Sequence, residues 1–270
     1  MSVFRIDNIY PFDLGLTLDC GQAFRWEATE DGCFEGVAKG RYLKIRQEGN
    51  SLIFYNTSKE VYENIWYDYF DLGRDYADII RRANKDSRIA PMTAMGGGIR
   101  ILKQDPWEAL CSFIISQNNN IPRIKGIISR LCEGFGEKID GGYTFPSAER
   151  LSSLTVEDLA PLRSGFRAKY ILDAARKCST CLNLNEIKSL DIDSARQSLM
   201  QITGVGPKVA DCTLLFGLGF YEAFPMDVWM KRAMEIIFKD GFPTDLNDCA
   251  GIIQQYIFNY ARTNKISIDN

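Results

Sequence analysis

Residues 21–57 alternate apolar and polar positions in short runs. GQAFRWEA, CFEGVA, RYLKIRQ and SLIFYNT are rich in aromatic and β-branched residues, and EDG, KG and EGN separate them as turn signals. This pattern predicts an antiparallel β-meander. From about residue 59 the period lengthens, and RDYADIIRRAN has the spacing of an amphipathic helix. GGG at 96–98 reads as a flexible break. Beyond it Asp105 and Pro106 form a cap and first turn for PWEALCSFIIS, and NNN at 118–120 interrupts before Pro122 opens PRIKGIISRLCEGFG. SAERLSSL, TVEDLAPL, AKYILDAARKCS and DIDSARQSLMQI continue as helices, followed by helices at about 207–218, 228–238 and 245–261. The fold class expected is α+β. A small N-terminal antiparallel sheet domain with flanking helices (1–95) precedes a mostly helical domain (96–270), with a helix-hairpin-helix at about 190–218.

Composition narrows the chemistry. No apolar run approaches a membrane span, and MSVFRIDNIY has no basic segment leading into an apolar one. The expectation is an intracellular protein, in the cytoplasm or on the nucleoid. The chain has 8 cysteines and no histidine. Cys178 and Cys181 form the sole CxxC, and a zinc site needs two further ligands, so no metal is expected. Without histidine, Ser-His-Asp and Cys-His catalysis are excluded. Acid–base work falls to Asp, Glu, Lys, Tyr or Cys. The net charge of −3 argues mildly against a nucleic-acid partner, but 163–177 (RSGFRAKYILDAARK) holds five bases and one acid. That stretch reads either as a solvated helix face or as a phosphate-binding patch.

QITGVGPKVADC at 201–212 places Lys208 in a first helical turn, where the positive helix end disfavours a cation. GVGPK is no P-loop, which needs four residues between its glycines and a following Ser or Thr. It is no dinucleotide fingerprint either, because a helix precedes it and the third glycine is absent. Helix, Gly-x-Gly turn, helix is the arrangement of a helix-hairpin-helix, in which backbone amides cradle a phosphate. Further on, FPMDVW places Asp227 as a helix N-cap, 19 residues past Lys208.

ITGVGPKVADC followed by FPMDVW resembles the helix-hairpin-helix, Gly/Pro-rich, Asp superfamily of DNA glycosylases, and within it the 8-oxoguanine DNA glycosylases. CGQAFRW (20–26), SFIISQNNNIPRIKGIISRLCEGFG (112–136) and SGFRAKYI (164–171) carry the same resemblance in the family's order. It implies a bifunctional glycosylase and abasic-site lyase that needs no cofactor. The implied enzyme acts as a monomer on double-stranded DNA with 8-oxoguanine opposite cytosine. A sibling glycosylase for another damaged base and a non-catalytic DNA-binding module are the alternatives. Lys208 speaks against the second, and Gly21 and Gln254 against the first.

Residue by residue, the resemblance makes Lys208 the nucleophile at the sugar C1′. Burial and the helix end would then favour the neutral amine, the form able to attack. Asp227 becomes the carboxylate that stabilises positive charge on the sugar. Gly204 and Gly206 become the phosphate-binding turn. Asn118 fills the gap left by the extruded base, Phe166 wedges beside the orphaned base, and Arg123 and Arg167 hold it. Gly21 accepts the N7–H of the oxidised purine, Gln254 reads the base edge, Phe258 stacks on it, and Cys212 faces the same pocket. Two positions depart from the family. Phe216 stands where methionine is expected, and Trp229 where the eukaryotic enzymes have histidine, and its indole offers a phosphate only one donor.

Overall fold

The computed structural model describes residues 3–265. The sheet has five antiparallel strands: β1 (Val3–Ile6), β2 (Trp26–Ala28), β3 (Phe34–Ala38), β4 (Arg41–Glu48) and β5 (Ser51–Tyr55), in the order β1-β5-β4-β3-β2. The meander is as the alternation predicts. β1 is an addition, pairing Val3 with Tyr55 and Ile6 with Leu52. Four residues are too few for a period to show. The first run shortens as well. Residues 20–25 are irregular, and only Trp26–Ala28 pairs.

Helix α1 (Leu14–Asp19), capped by Asp13 on the amide of Leu16, packs with the 59–70 stretch over one face of the sheet. Phe54, Trp66, Phe70, Leu43 and Ile45 fill that core. A second, larger core lies among helices α2 (Tyr76–Ala83), α3 (Ala90–Gly96), α4 (Pro106–Ser116), α5 (Ile121–Phe135), α6 (Arg167–Thr180), α7 (Ile192–Met200), α8 (Pro207–Thr213), α9 (Val228–Ile236) and α10 (Ala250–Thr263). The Asp105 cap on α4 bonds the amides of Trp107 and Glu108, as the sequence predicts.

Two expectations fail. The glycines at 96–98 are a close contact rather than a flexible break. Asp13 donates its amide to Gly98 O, and a Cβ on Gly98 would lie 2.6 Å from the Cβ of Asp13. TVEDLAPL forms turns and a short 3₁₀ segment, Ala160–Leu162. Thr155 and Asp158 bond each other reciprocally, as at a helix start, but Pro161 supplies no amide and Arg163 turns left-handed at φ 54°.

Candidate active site and nucleic-acid interface

The hairpin is built from short-range signals and clamped by long-range ones. Helix α7 is capped by Asp191, and α8 begins after Gly206 with Pro207 in its first turn. Gly206 offers no side-chain cap, which leaves the first-turn amides without a side-chain acceptor. Arg196 of α7 donates to Asp211 of α8 at 2.7 Å, tying the two helices together. Burial lifts the Asp211 carboxyl above its ordinary range, and Arg196 holds it back. Gly204 has φ +82°, and a Cβ there would lie 2.4 Å from the ring of Tyr170 on α6.

Helix α6 holds the hairpin from the side. The amide of Thr203 donates to Asp173 Oδ2 at 2.7 Å. Lys177 Nζ donates to the same carboxylate and to Gln201 O. Burial opposes the Asp173 charge, but Lys177 and the Thr203 amide outweigh it and hold the carboxyl below its ordinary range.

Lys208 is half-buried. Its Nζ donates to Ser116 Oγ at 3.3 Å and lies 5.2 Å from the centroid of Phe113. Phe113 stacks on Phe216 at 5.3 Å, so the phenylalanine in place of methionine completes an aromatic floor beneath the amine. Cys212, one turn along α8, is buried. Burial pushes its thiol up to about 11, with the ammonium of Lys208 pulling down and the carboxylate of Asp227 pushing up. Asp227 caps α9 through a 2.8 Å bond from Met230 N. Trp229 packs under the guanidinium of Arg232, 5.3 Å from the ring centroid.

Gly21 sits in the irregular segment at φ +85°. Gln22 bolts that segment down. Its Nε2 donates to Thr17 O and Arg100 O, and its Oε1 accepts from Leu102 N. A Cβ on Gly21 would touch Phe258, Ile121 and Arg262 at 3.8–4.0 Å, so Gly21 and Phe258 do converge. Gln254, on the same helix as Phe258, is 2% exposed and donates to Pro225 O at 3.1 Å.

The far rim comes from the end of α4 and the start of α6. Asn118 is exposed in a left-handed conformation, φ 47°. Phe166 is 47% exposed, its ring edge-on to Tyr170 at 5.7 Å. Of the two arginines expected to hold an orphaned base, the structure exposes Arg123 alone. Arg167 is 2% exposed and donates to the carbonyls of Gln117, Asn118 and Ser164. A buried guanidinium finds partners wherever carbonyls are free, and the chain reversal at 117–118 leaves them free.

Three contact residues escaped the sequence reading. Ser116 and Phe113 touch the lysine, and Arg262 lies over the Phe258 ring at 5.6 Å. Ser116 lies one helical turn past Phe113 on α4, a spacing that could have flagged the pair. A cleft of about 900 Å³ between the sheet and α5 is lined by Phe24, Arg25, Tyr42 and Lys125, and does not include Lys208.

The family profile for the 8-oxoguanine DNA glycosylase N-terminal domain matches residues 6–110. That for the HhH-GPD superfamily base excision DNA repair proteins matches residues 111–242. An N-glycosylase/DNA lyase of Saccharomyces cerevisiae is 44% identical over 50% of this chain and 40% of its own length. One from Arabidopsis thaliana is 32% identical over 80% and 64%. The chain thus spans less than two thirds of either curated relative. An 8-oxoguanine glycosylase/lyase of Clostridium acetobutylicum, solved with double-stranded DNA containing cytosine opposite 8-oxoguanine, has 38% identity and a TM-score of 0.91. That match covers 97% of this chain and 96% of the other.

Proposed function

The chain belongs to the 8-oxoguanine DNA glycosylase family of the HhH-GPD superfamily, and from that premise we propose that it excises 8-oxoguanine from duplex DNA and then cleaves the abasic site. The observation that carries this reading is Lys208. It is the amine in the first turn after the hairpin, bonded to Ser116 and set on the Phe113 face.

The hairpin amides take a phosphate of the lesion strand, and the damaged nucleotide leaves the stack at a cost of a few kcal/mol. Asn118 fills the gap, Phe166 wedges the orphaned base, and the exposed Arg123 reaches its acceptors. Arg167 joins it by releasing part of its hold on the 117–118 carbonyls. The base enters between Gly21, Phe258 and Gln254. Asp227, held at the start of α9 by its bond from Met230 N, faces the positive charge that grows at C1′ as the glycosidic bond breaks. The carboxylate takes a proton from the incoming amine. The Lys208 nitrogen bonds C1′, the sugar ring opens to a Schiff base, and β-elimination expels the 3′ phosphate. Among the described residues no helix is long and apolar enough to cross a membrane. The reading places the work on genomic DNA inside the cell.

Borohydride reduction tests it. The unaltered protein should cross-link to 8-oxoguanine duplexes. Lys208→Gln should bind the same DNA and give no cross-link. Undiminished cross-linking by that variant would reject the assignment.

A further inference from the structure

Helix α10 is buried along most of its length, and both Gln254 and Gln255 lie inside it, 2% and 5% exposed. Successive residues on a helix point about 100° apart and do not ordinarily meet. Here they do: Gln255 Nε2 donates to Gln254 Oε1 at 2.9 Å. The backbone settles the order of atoms. Pro225 O can only accept, so it fixes the NH₂ of Gln254 on its own side, at 3.1 Å. The oxygen of Gln254 then faces Gln255, which must present its NH₂. The Oε1 of Gln255 is left buried without a hydrogen-bond partner. A leucine would fill this space with no orphaned atom. What the glutamine adds is the donor.

We propose that Gln255 is a positioning residue that locks the amide of Gln254 in one orientation and so sets the donor and acceptor it offers to the extruded base. The proposal rests on the reading of Gln254 as the residue at the base edge. With both ends of the amide engaged, one N–H and one lone pair of Gln254 remain for the ligand. Without Gln255, a single 3.1 Å bond remains and the amide can swing away from Pro225. Pro225 also stands two residues before Asp227, so the turn that presents the carboxylate is the turn that orients the base-reading amide.

Two reactions separate orientation from general damage. Excision of 8-oxoguanine opposite cytosine needs the base read, whereas β-elimination at a preformed abasic site has no base to read. In single-turnover assays Gln255→Leu should slow excision about tenfold, the cost of one lost buried hydrogen bond, and leave abasic cleavage and Tm nearly unchanged. Gln255→Glu keeps the shape, loses the donor and sets a charge against Oε1, so its excision should fall further. Gln255→Leu placed in a Gln254→Ala background should add nothing. The proposal is overturned if both Gln255 variants excise normally, if excision and abasic cleavage fall together, or if the loss persists without the Gln254 amide. Normal excision by Gln254→Ala alone would instead overturn the base-edge assignment.

Discussion

Replacing Gly204 by alanine tests whether α6 and the hairpin work as one rigid body. The residue sits at φ +82°, and the new methyl group would lie 2.4 Å from Cδ2 of Tyr170. The left-handed backbone costs an L-residue about 1–2 kcal/mol. The overlap meets the flat of a ring edge rather than a flexible chain end, and forcing such a group aside costs about 1–3 kcal/mol. Together the variant should lose about 2–5 kcal/mol, which for a chain of this size is a fall in Tm of roughly 4–20 °C. The displaced ring also supports Phe166, 5.7 Å away, so the effect should reach DNA. With the hairpin amides misaligned, one phosphate contact is lost, so Kd should rise about tenfold while the slope of log Kd against log salt stays unchanged, because a neutral amide displaces no counterion. Calorimetry and a salt series of binding isotherms read both quantities. Tyr170→Ala in the Gly204→Ala background should remove the overlap and leave the backbone strain. The double variant should then be more stable than the sum of the single losses by about 1–3 kcal/mol. A wild-type Tm and Kd for Gly204→Ala, or strict additivity in the double variant, would refute the reasoning.

Asp227→Asn keeps an oxygen to accept from Met230 N but loses the charge. Excision should fall at least a hundredfold while Tm moves by only a few degrees, and equal losses in both would leave Asp227 as a cap alone. Cytosine offers two acceptors to arginine, and adenine places a donor at N6. The protein should therefore excise 8-oxoguanine faster opposite cytosine by roughly tenfold to a hundredfold. Arg123→Ala should flatten that preference more than Phe166→Tyr changes it. Single-turnover rates against the four opposite bases decide this, and similar rates for cytosine and adenine in the unaltered protein would sink it.

Much of this protein is legible in short stretches. The Asp105, Asp191 and Asp227 caps, the Pro106, Pro122 and Pro207 starts and the meander turns all act through atoms a few residues apart, so the linear order of residues determines them. GVGPK determines the hairpin for the same reason, because the left-handed turn and the missing side-chain cap are properties of Gly204 and Gly206 themselves. Tertiary structure decided what depends on partners far along the chain. β1 forms because β5 offers it an edge, and Gly98 is tight because Asp13 arrives there. Arg167 turns inward because the reversal at 117–118 presents carbonyls some fifty residues earlier. Gln255 sits beside Gln254 in any reading of the string, yet it becomes a donor to that amide only because Pro225 has already claimed the other end. Hydrogen bonds and close contacts are short in range but blind to sequence separation. Local patterns therefore set the elements, and the folded chain alone sets which groups remain free to act.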